Sequence, residues 1–231
     1  MSERTCIVVT GAASGIGAAC TAQLLEQGHA VVGIDLCEAP ECTLSILADV
    51  SDAATVEAAF LRIEHEIGPI EGLVTVAGYY EPVSVLDVTE DQVARMIAVH
   101  VDGTANACRS AIARMLPRGR GSICTIGSEL ALCGDADACH YAACKGAIHT
   151  LTKTLALELA GFGVRVNCVA PGPTDTPLMT EAMRNPSYID SLVLKRLVDP
   201  REIAAAVAFA LDANDHNLVG QVISPNAGAV V

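Results

Sequence analysis

At 231 residues, 52% of them hydrophobic, the chain is long enough to bury one substantial core. Its 14 Lys and Arg against 27 Asp and Glu give a formal charge of −13, which argues against a nucleic-acid partner, because phosphate binding needs a basic patch. Apolar runs are interrupted well short of the roughly 18 to 20 residues needed to cross a bilayer, and a strand pattern starts directly after Met1-Ser2-Glu3-Arg4, so no membrane partner and no secretory signal are expected and the cytoplasm is the expected location.

A strand predicted at 5–10, with the apolar run Cys6-Ile7-Val8-Val9, leads into Thr10-Gly11-Ala12-Ala13-Ser14-Gly15-Ile16-Gly17 and then into a helix at 15–28. This Gly-x3-Gly-x-Gly spacing between strand and helix is a variant of the dinucleotide fingerprint. Glycines allow a tight turn and a close approach, while the opening helix turn offers free N–H groups to a pyrophosphate. Gly11, Ser14, Gly15, Ile16 and Gly17 are therefore candidate cofactor contacts. The next strand, 30–35, ends at Asp35, 18 residues past Gly17, where a carboxylate accepts the adenosine ribose hydroxyls. A carboxylate repels a 2′-phosphate, and neither Ala13 nor Leu36 supplies a cation, so NAD(H) is expected over NADP(H).

The pattern continues with a strand at 44–48, helix 53–66, strand 72–76, helix 90–116, strand 121–127, helix 139–161, strand 164–169, helix 201–212 and strand 220–224. Such alternation predicts one doubly wound α/β domain over 1–231, a mostly parallel sheet of about seven strands covered on both faces. Only 13 residues separate Asp35 from Asp49, so the crossover helix there must shrink to a turn or less. The irregular stretch from Gly172 to Pro200 is a candidate substrate lid, with helical pieces at Leu178–Arg184 and Tyr188–Leu197.

Chemistry is carried by Tyr141-Ala142-Ala143-Cys144-Lys145, since four residues on a helix put a phenol and an ammonium on one face. The ammonium is expected to favour the phenolate and so let the phenol exchange protons with an alcohol or carbonyl. Ten cysteines form no Cys-x-x-Cys pair or Cys/His cluster, so no metal is expected and the thiols read as buried and reduced. Cys144, beside Lys145, is the one to watch for reactivity, against a structural thiol as the plainer alternative.

Together these motifs resemble the short-chain dehydrogenase/reductase family, collinearly over essentially the whole chain, and so imply a Rossmann-like fold. The resemblance adds Ser128, 13 residues before Tyr141 at the end of Gly121-Ser122-Ile123-Cys124-Thr125-Ile126-Gly127, as the catalytic serine. It implies that Pro171, Gly172, Thr174 and Thr176 lie along the nicotinamide, with Thr176 on its carboxamide. Asp49 and Val50 would flank the adenine, and Ala77-Gly78 would close the fourth strand. His100 stands where the family usually has the asparagine of its catalytic tetrad, whose main-chain carbonyl holds a water linked to the lysine. Val76 replaces a frequent asparagine, and Pro225-Asn226-Ala227-Gly228 replaces a usual Asp-Gly-Gly, a change expected to affect subunit packing.

The resemblance implies hydride transfer between NAD(H) and a small-molecule secondary alcohol or ketone, with Ser128 holding the substrate oxygen, Tyr141 as acid/base and Lys145 stabilising the tyrosinate. Leu157 to Gly161 with Pro171 to Thr176 looks like bacterial dihydrodihydroxybenzoate dehydrogenases, and Thr176 to Tyr188 is similar to bacterial 3α-hydroxysteroid dehydrogenases, so a cyclic alcohol or dihydrodiol is expected. Arg184, Lys195 and Arg196 are candidates to meet a substrate carboxylate, against plain exposed charges, and Tyr79 and Tyr80 are candidates for the pocket wall or an interface. Two other readings stand beside this one: a 3-oxoacyl-thioester reductase, and an NAD(H)-binding sensor or scaffold impaired by His100. A homotetramer or dimer is expected by family analogy.

Overall fold

Along the strand Cys6–Thr10 (β1), Cys6 and Val8 turn to one face and Ile7 and Val9 to the other, and all four are buried. That is why the run reads as continuously apolar: both faces of this strand are covered. The computed structural model describes residues 5–212 and 217–231; Met1 to Arg4, on which the expectation of no secretory signal rests, lies outside the described residues.

After β1 come a helix at Gly15–Glu26 (α1), strands Ala30–Asp35 (β2) and Leu44–Leu47 (β3), a helix at Ala53–Glu66 (α2) and a strand at Ile70–Thr75 (β4). The second half adds helices Glu90–Ile97 (α3) and Gly103–Met115 (α4), strand Gly121–Ile126 (β5), the single turn Leu130–Cys133 (α5), the long helix Cys139–Leu159 (α6) and strand Val164–Val169 (β6). Helices Pro186–Ser191 (α7) and Pro200–Leu211 (α8) and the short strand Val222–Ile223 (β7) complete it. The strands form one parallel seven-stranded sheet in the order β3-β2-β1-β4-β5-β6-β7, the doubly wound arrangement expected. The order in which strands are added to the sheet reverses between β1 and β4, and the crevice beyond the carboxyl ends of these strands is where such folds bind ligands.

Two apolar layers hold the sheet. On one face α2, α4 and α6 bring Phe60, Ile63, Ala107, Ala111, Met115 and Leu159 against Val8, Val32, Ile34, Leu73 and Ile123. On the other, α1 and α8 bring Cys20, Leu24, Ile203, Val207 and Ala210 against Ile7, Val9, Val31, Val74 and Ile126. Capping fixes where the helices start. Asp52 accepts from Ala54 and Thr55 N–H, and Thr89–Gln92 and Asp199–Glu202 each close a reciprocal capping box. Among the described residues, no helix is long and apolar enough to cross a membrane.

Three departures from the sequence pattern bear on the site. The predicted helix 90–116 is not continuous: Ala98–Asp102 form a π turn, in which Gly103 N–H reaches back five residues to the Ala98 carbonyl. No helix joins β2 to β3, in keeping with the short crossover, and Leu36 is left 72% exposed. The lid carries less helix than expected, a 3-10 turn at Ala182–Arg184 and the short α7. Pro186 forces Asn185 into an extended conformation that ends the first piece, while Asn185 caps α7 through Ser187 N–H. The second piece stops at Ser191, and Lys195 beyond it adopts the left-handed region at φ +49°.

Of the ten thiols, six are buried as expected, Cys42 is half-buried, and Cys37, Cys133 and Cys139 are exposed, being in loops or at helix ends where no layer covers them. Cys144 is buried and its pKa is raised, because burial outweighs the opposing charge of Lys145.

Candidate active site

A cavity of about 510 Å³ opens at the carboxyl ends of the strands, and its wall is assembled from the turn that follows each. At one end stand Asp35, Leu36, Asp49 and Val50, after β2 and β3. In the middle lie Gly11, Ser14, Gly15 and Ile16 from the β1–α1 turn. Ala77, Gly78, Tyr79, Tyr80, His100, Ser128, Glu129, Tyr141 and Lys145 form the other end, with Pro171, Gly172, Thr174 and Thr176 along one side. Every catalytic and cofactor-contact candidate of the sequence therefore lines this cavity except Gly17, which lies under the turn.

The middle of the cavity fits a dinucleotide. Gly11 takes φ +68°, and a side chain on Gly17 would begin 1.8 Å from the Gly11 carbonyl oxygen, so only glycine lets the helix start this close to the strand. Ser14 caps α1 in an extended conformation without using its side chain, and no acidic residue occupies the first turn. The opening N–H groups of a twelve-residue helix thus keep room for pyrophosphate oxygens. Asp35 accepts Ala13 N–H at 2.9 Å on Oδ2 and Cys37 N–H at 3.0 Å on Oδ1, which orients both carboxylate oxygens and leaves each a further lone pair for a ribose hydroxyl. Asp49 Oδ1 takes Ser51 N–H and the Ser51 hydroxyl, and the Asn106 amide donates to the Val50 carbonyl at 3.1 Å.

At the opposite end, α6 carries Tyr141 and Lys145. Lys145 is 4% exposed and its Nζ donates to the Ile126 carbonyl at 2.9 Å, while standing 5.6 Å from the centre of the Tyr141 ring. Burial pushes its ammonium down to about 8. The Tyr141 ring is met edge-on by Tyr80 at 5.0 Å and by His100 at 5.4 Å between centroids. Its phenol is pushed up, first by burial and then by the negative charge of Glu129, against a smaller opposing pull from a hydrogen bond with Ser128. The spacing led to the opposite expectation, a phenol drawn down by Lys145. With Nζ on a backbone carbonyl and the ring desolvated, burial wins and Tyr141 holds its proton.

His100 is 2% exposed, on the π turn, and its Nε2 lies 2.8 Å from the Tyr79 carbonyl and 3.1 Å from Tyr79 N–H. One nitrogen serves one of these at a time, depending on tautomer, and Nδ1 has no partner. Burial, then the charge of Lys145, pushes His100 down to about 3, so the ring is neutral at any ordinary pH. A side chain on Gly78 would begin 2.4 Å from His100 Cε1, so the glycine after β4 is the space into which this larger side chain fits.

Val76 N–H bonds the Thr10 hydroxyl at 3.1 Å, tying β4 to β1 where an asparagine was expected. The Pro225 to Gly228 tract serves the site itself rather than only an outer surface. Asn226 packs directly on Gly172, where a side chain would begin 2.5 Å from Asn226 Cα, and the Ala227 carbonyl takes Leu194 N–H of the lid. The three lid cations do not converge on the cavity. Arg184 binds Asp175 at 2.6 Å and the Thr176 carbonyl, Arg196 makes a two-pronged pair with Glu202, and Lys195 is exposed beside a separate shallow depression.

Sequence reasoning missed Glu129. It is 8% exposed, accepts the Ser128 hydroxyl at 2.8 Å, and is pushed up to about 7 by burial. The signal present was adjacency to the serine, but nothing in a Ser-Glu-Leu run tells a buried carboxylate from a solvated one.

A parallel sheet whose strand ends hold a glycine cradle, a backbone-anchored carboxylate and a Ser/Tyr/Lys group defines a nicotinamide-dependent oxidoreductase. Known proteins agree: a family model described as enoyl-(acyl carrier protein) reductase matches residues 11–229. The chain is 36% identical to a cis-4-hydroxycyclohexanecarboxylate dehydrogenase of Sinomonas cyclohexanicum, covering 96% of this chain and 94% of that protein. It is 32% identical to a 2,3-dihydro-2,3-dihydroxybenzoate dehydrogenase of Bacillus subtilis, over 96% of this chain and 95% of that one. A 3-ketoacyl-(acyl-carrier-protein) reductase from Brucella melitensis, solved with NADH, superposes with a TM-score of 0.94 at 26% identity over 100% of both chains. The protein belongs to the short-chain dehydrogenase/reductase family. It is an enzyme acting on a small molecule with a nicotinamide cofactor.

Proposed function

We propose that the protein interconverts a cyclic secondary alcohol, or dihydrodiol, and its ketone using NAD(H) rather than NADP(H). The observation that carries the reading is the convergence of Ser128, Tyr141 and Lys145 at one end of a cavity whose other end is closed by Asp35. Two of the relatives act, by name, on substituted six-membered rings. NAD(H), when bound, supplies the hydride donor or acceptor. The chain's own residues hold the substrate and move its proton.

Ser128 Oγ positions the substrate oxygen, and Tyr141 Oη exchanges the proton of that oxygen. Because burial keeps Tyr141 protonated, the protein stands ready as the general acid of ketone reduction. Alcohol oxidation requires the phenolate, and the charged form of Lys145 is the group that stabilises it. His100 acts through position: neutral and fixed to Tyr79, it holds the Tyr141 ring edge-on and keeps the turn in place whose backbone would relay the proton. Gly11, Ser14, Gly15, Ile16 and Gly17 hold the pyrophosphate, Asp35 the ribose, Asp49 and Val50 the adenine, and Ala77, Gly78, Pro171, Gly172, Thr174 and Thr176 the nicotinamide side. By analogy with the family the proposal includes a cytoplasmic homo-oligomer, a tetramer or dimer.

Replacing Tyr141 by Phe tests the chemistry. The variant should bind NADH as the parent does, measured by NADH fluorescence, and lose about 10²- to 10⁴-fold in turnover across a screen of cyclic diols, hydroxysteroids, sugar alcohols and hydroxyacyl thioesters. Retained turnover would remove the phenol from the mechanism. A second reading, a 3-oxoacyl-thioester reductase, draws on the 30% identity to the Vibrio harveyi 3-oxoacyl-[acyl-carrier-protein] reductase. The same screen separates the two.

A further inference from the structure

We infer that Glu129 is the substrate-selecting residue of this site, accepting a hydrogen bond from a second hydroxyl adjacent to the reacting carbon, so that the substrate is an uncharged vicinal diol and not a hydroxy acid. The inference rests on the alcohol dehydrogenase reading above and sharpens it to a substrate class.

Three observations combine. Glu129 lines the cavity directly beside Ser128 and receives its hydroxyl at 2.8 Å, so a substrate oxygen held at Ser128 Oγ has the Glu129 carboxylate as a neighbour. The carboxylate is buried, and among the described residues no lysine or arginine makes an ion pair with it, Lys145 being held on the Ile126 carbonyl. A buried acceptor of this kind favours a ligand that donates to it. The last observation is the sign of the surroundings. Among the described residues lining the cavity, Lys145 is the single Lys or Arg, it is bonded to the Ile126 carbonyl, and His100 is neutral. Arg184 and Arg196 are spent on Asp175 and Glu202. A substrate carboxylate would thus meet Glu129 with no cation to receive it, and like charges in a desolvated pocket repel strongly.

The walls suit an alicyclic ring. Tyr80 and Tyr141 meet edge to face, Leu178, Met179 and Met183 of the lid supply apolar contact, and Tyr188 of α7 lies near enough to feel the charge of Glu129. A ring fills the apolar part, one hydroxyl accepts the Ser128 O–H and gives its proton to Tyr141, and its neighbour takes the place of Ser128 as the donor to Glu129. A vicinal diol so held differs from the substrates in the names of two relatives, which specify a carboxylate-bearing ring.

The test compares three substrates of one shape with the full chain and NAD⁺: cis-1,2-cyclohexanediol, cyclohexanol and cis-2-hydroxycyclohexanecarboxylate. At pH 8.5 to 9, where Glu129 with its pKa of about 7 is ionised, a hydrogen bond to a charged acceptor predicts kcat/KM for the diol about 10- to 100-fold above the mono-alcohol, with the hydroxy acid below both. Glu129→Leu should bring the diol to mono-alcohol ratio near unity. Glu129→Gln, which keeps the shape and adds an amide donor, should lower that ratio and raise the hydroxy acid relative to the diol. Calorimetric binding of the diol to the protein loaded with NADH gives a readout independent of turnover, and it should weaken about tenfold in either variant. A diol to mono-alcohol ratio unchanged by both substitutions, or a parent enzyme that prefers the hydroxy acid, overturns the inference. Alcohol oxidation without dependence on Glu129 would sink this assignment alone. Diol binding that depends on Glu129 without any oxidation would sink the dehydrogenase reading and leave the assignment standing.

Discussion

Exchanging Asp35 for Ala together with Leu36 for Arg should invert the choice of dinucleotide. In the parent, the two Asp35 oxygens are fixed by Ala13 N–H at 2.9 Å and Cys37 N–H at 3.0 Å, so the acceptor is oriented before any ribose arrives. Each hydroxyl bond to a charged carboxylate contributes about 1.5 to 3 kcal/mol, and with tenfold in affinity per about 1.4 kcal/mol, Asp35→Ala alone should weaken NADH by about 10- to 100-fold. A 2′-phosphate brought within about 4 Å of the carboxylate meets about 4 kcal/mol of repulsion per charge pair at an effective dielectric near 20, before screening by salt. The parent should therefore favour NADH over NADPH by at least about 10²-fold. Leu36 is 72% exposed, so an arginine there reaches solvent without disturbing the core and can pair with the phosphate. NADH and NADPH fluorescence titrations, run beside kcat/KM for both oxidised forms with one saturating alcohol, measure the shift. A parent that binds NADPH as tightly as NADH, or an Asp35→Ala variant with unchanged NADH affinity, would refute the role given to this carboxylate.

Gly78→Ala should destabilise the fold by about 1 to 3 kcal/mol in urea, because its new Cβ would stand 2.4 Å from His100 Cε1. Combining it with His100→Asn should cost less than the sum of the two, a coupling that a double-mutant cycle reads directly; strict additivity would deny the contact. Glu129 gives a pH prediction. Its folded pKa of about 7 lies above its ordinary value of 4.5, so the folded state binds the extra proton in that window and stability falls as pH rises from about 4.5 to 7. The difference, up to about 3 kcal/mol, should shrink in Glu129→Gln, and Tm profiles of the two that stay parallel across pH 4.5 to 8 would contradict a buried carboxylate. Asp135, Tyr80, Tyr141 and Tyr188, Cys133 and Lys145 also face this group or feel its charge, and all remain in both proteins. Arg114→Ala should cost about 2 kcal/mol by thermal unfolding, since the 8%-exposed guanidinium ties α4 to Glu57 of α2 at 2.8 Å while the freed carboxylate returns to water. No loss would mean that the pair contributes nothing net.

Most of the architecture was legible because it depends on local pattern: apolar runs for strands covered on both faces, glycines where strand meets helix, and carboxylates or threonines at helix starts. The fingerprint at Gly11 to Gly17 and the Tyr141–Lys145 spacing announce the middle and one end of the cavity in the same way. What stayed hidden depends on burial or on contacts between distant segments. The π turn at Ala98–Asp102 leaves no trace in the apolar periodicity of 90–116, since it arises from fitting His100 against Gly78 and Tyr79. Lys145 was expected to draw Tyr141 down, but the distribution of Nζ between a backbone carbonyl and a ring follows from three-dimensional placement alone. Glu129 looked like any loop glutamate, and Arg184 looked available, until β5, α6 and the lid were brought together.

The π turn also couples the frame of the protein to its chemistry. Five residues occupy a length of helix that regular winding would fill with four, so removing one would restore an unbroken spiral and leave α4 facing as it does. Ala107, Ala111 and Met115 would stay in the core and Arg114 on Glu57, while the turn that seats His100 against Gly78 and Tyr79 would be lost. The scaffold could accordingly shed this extra residue unharmed, whereas the ring that stands edge-on to Tyr141 could not.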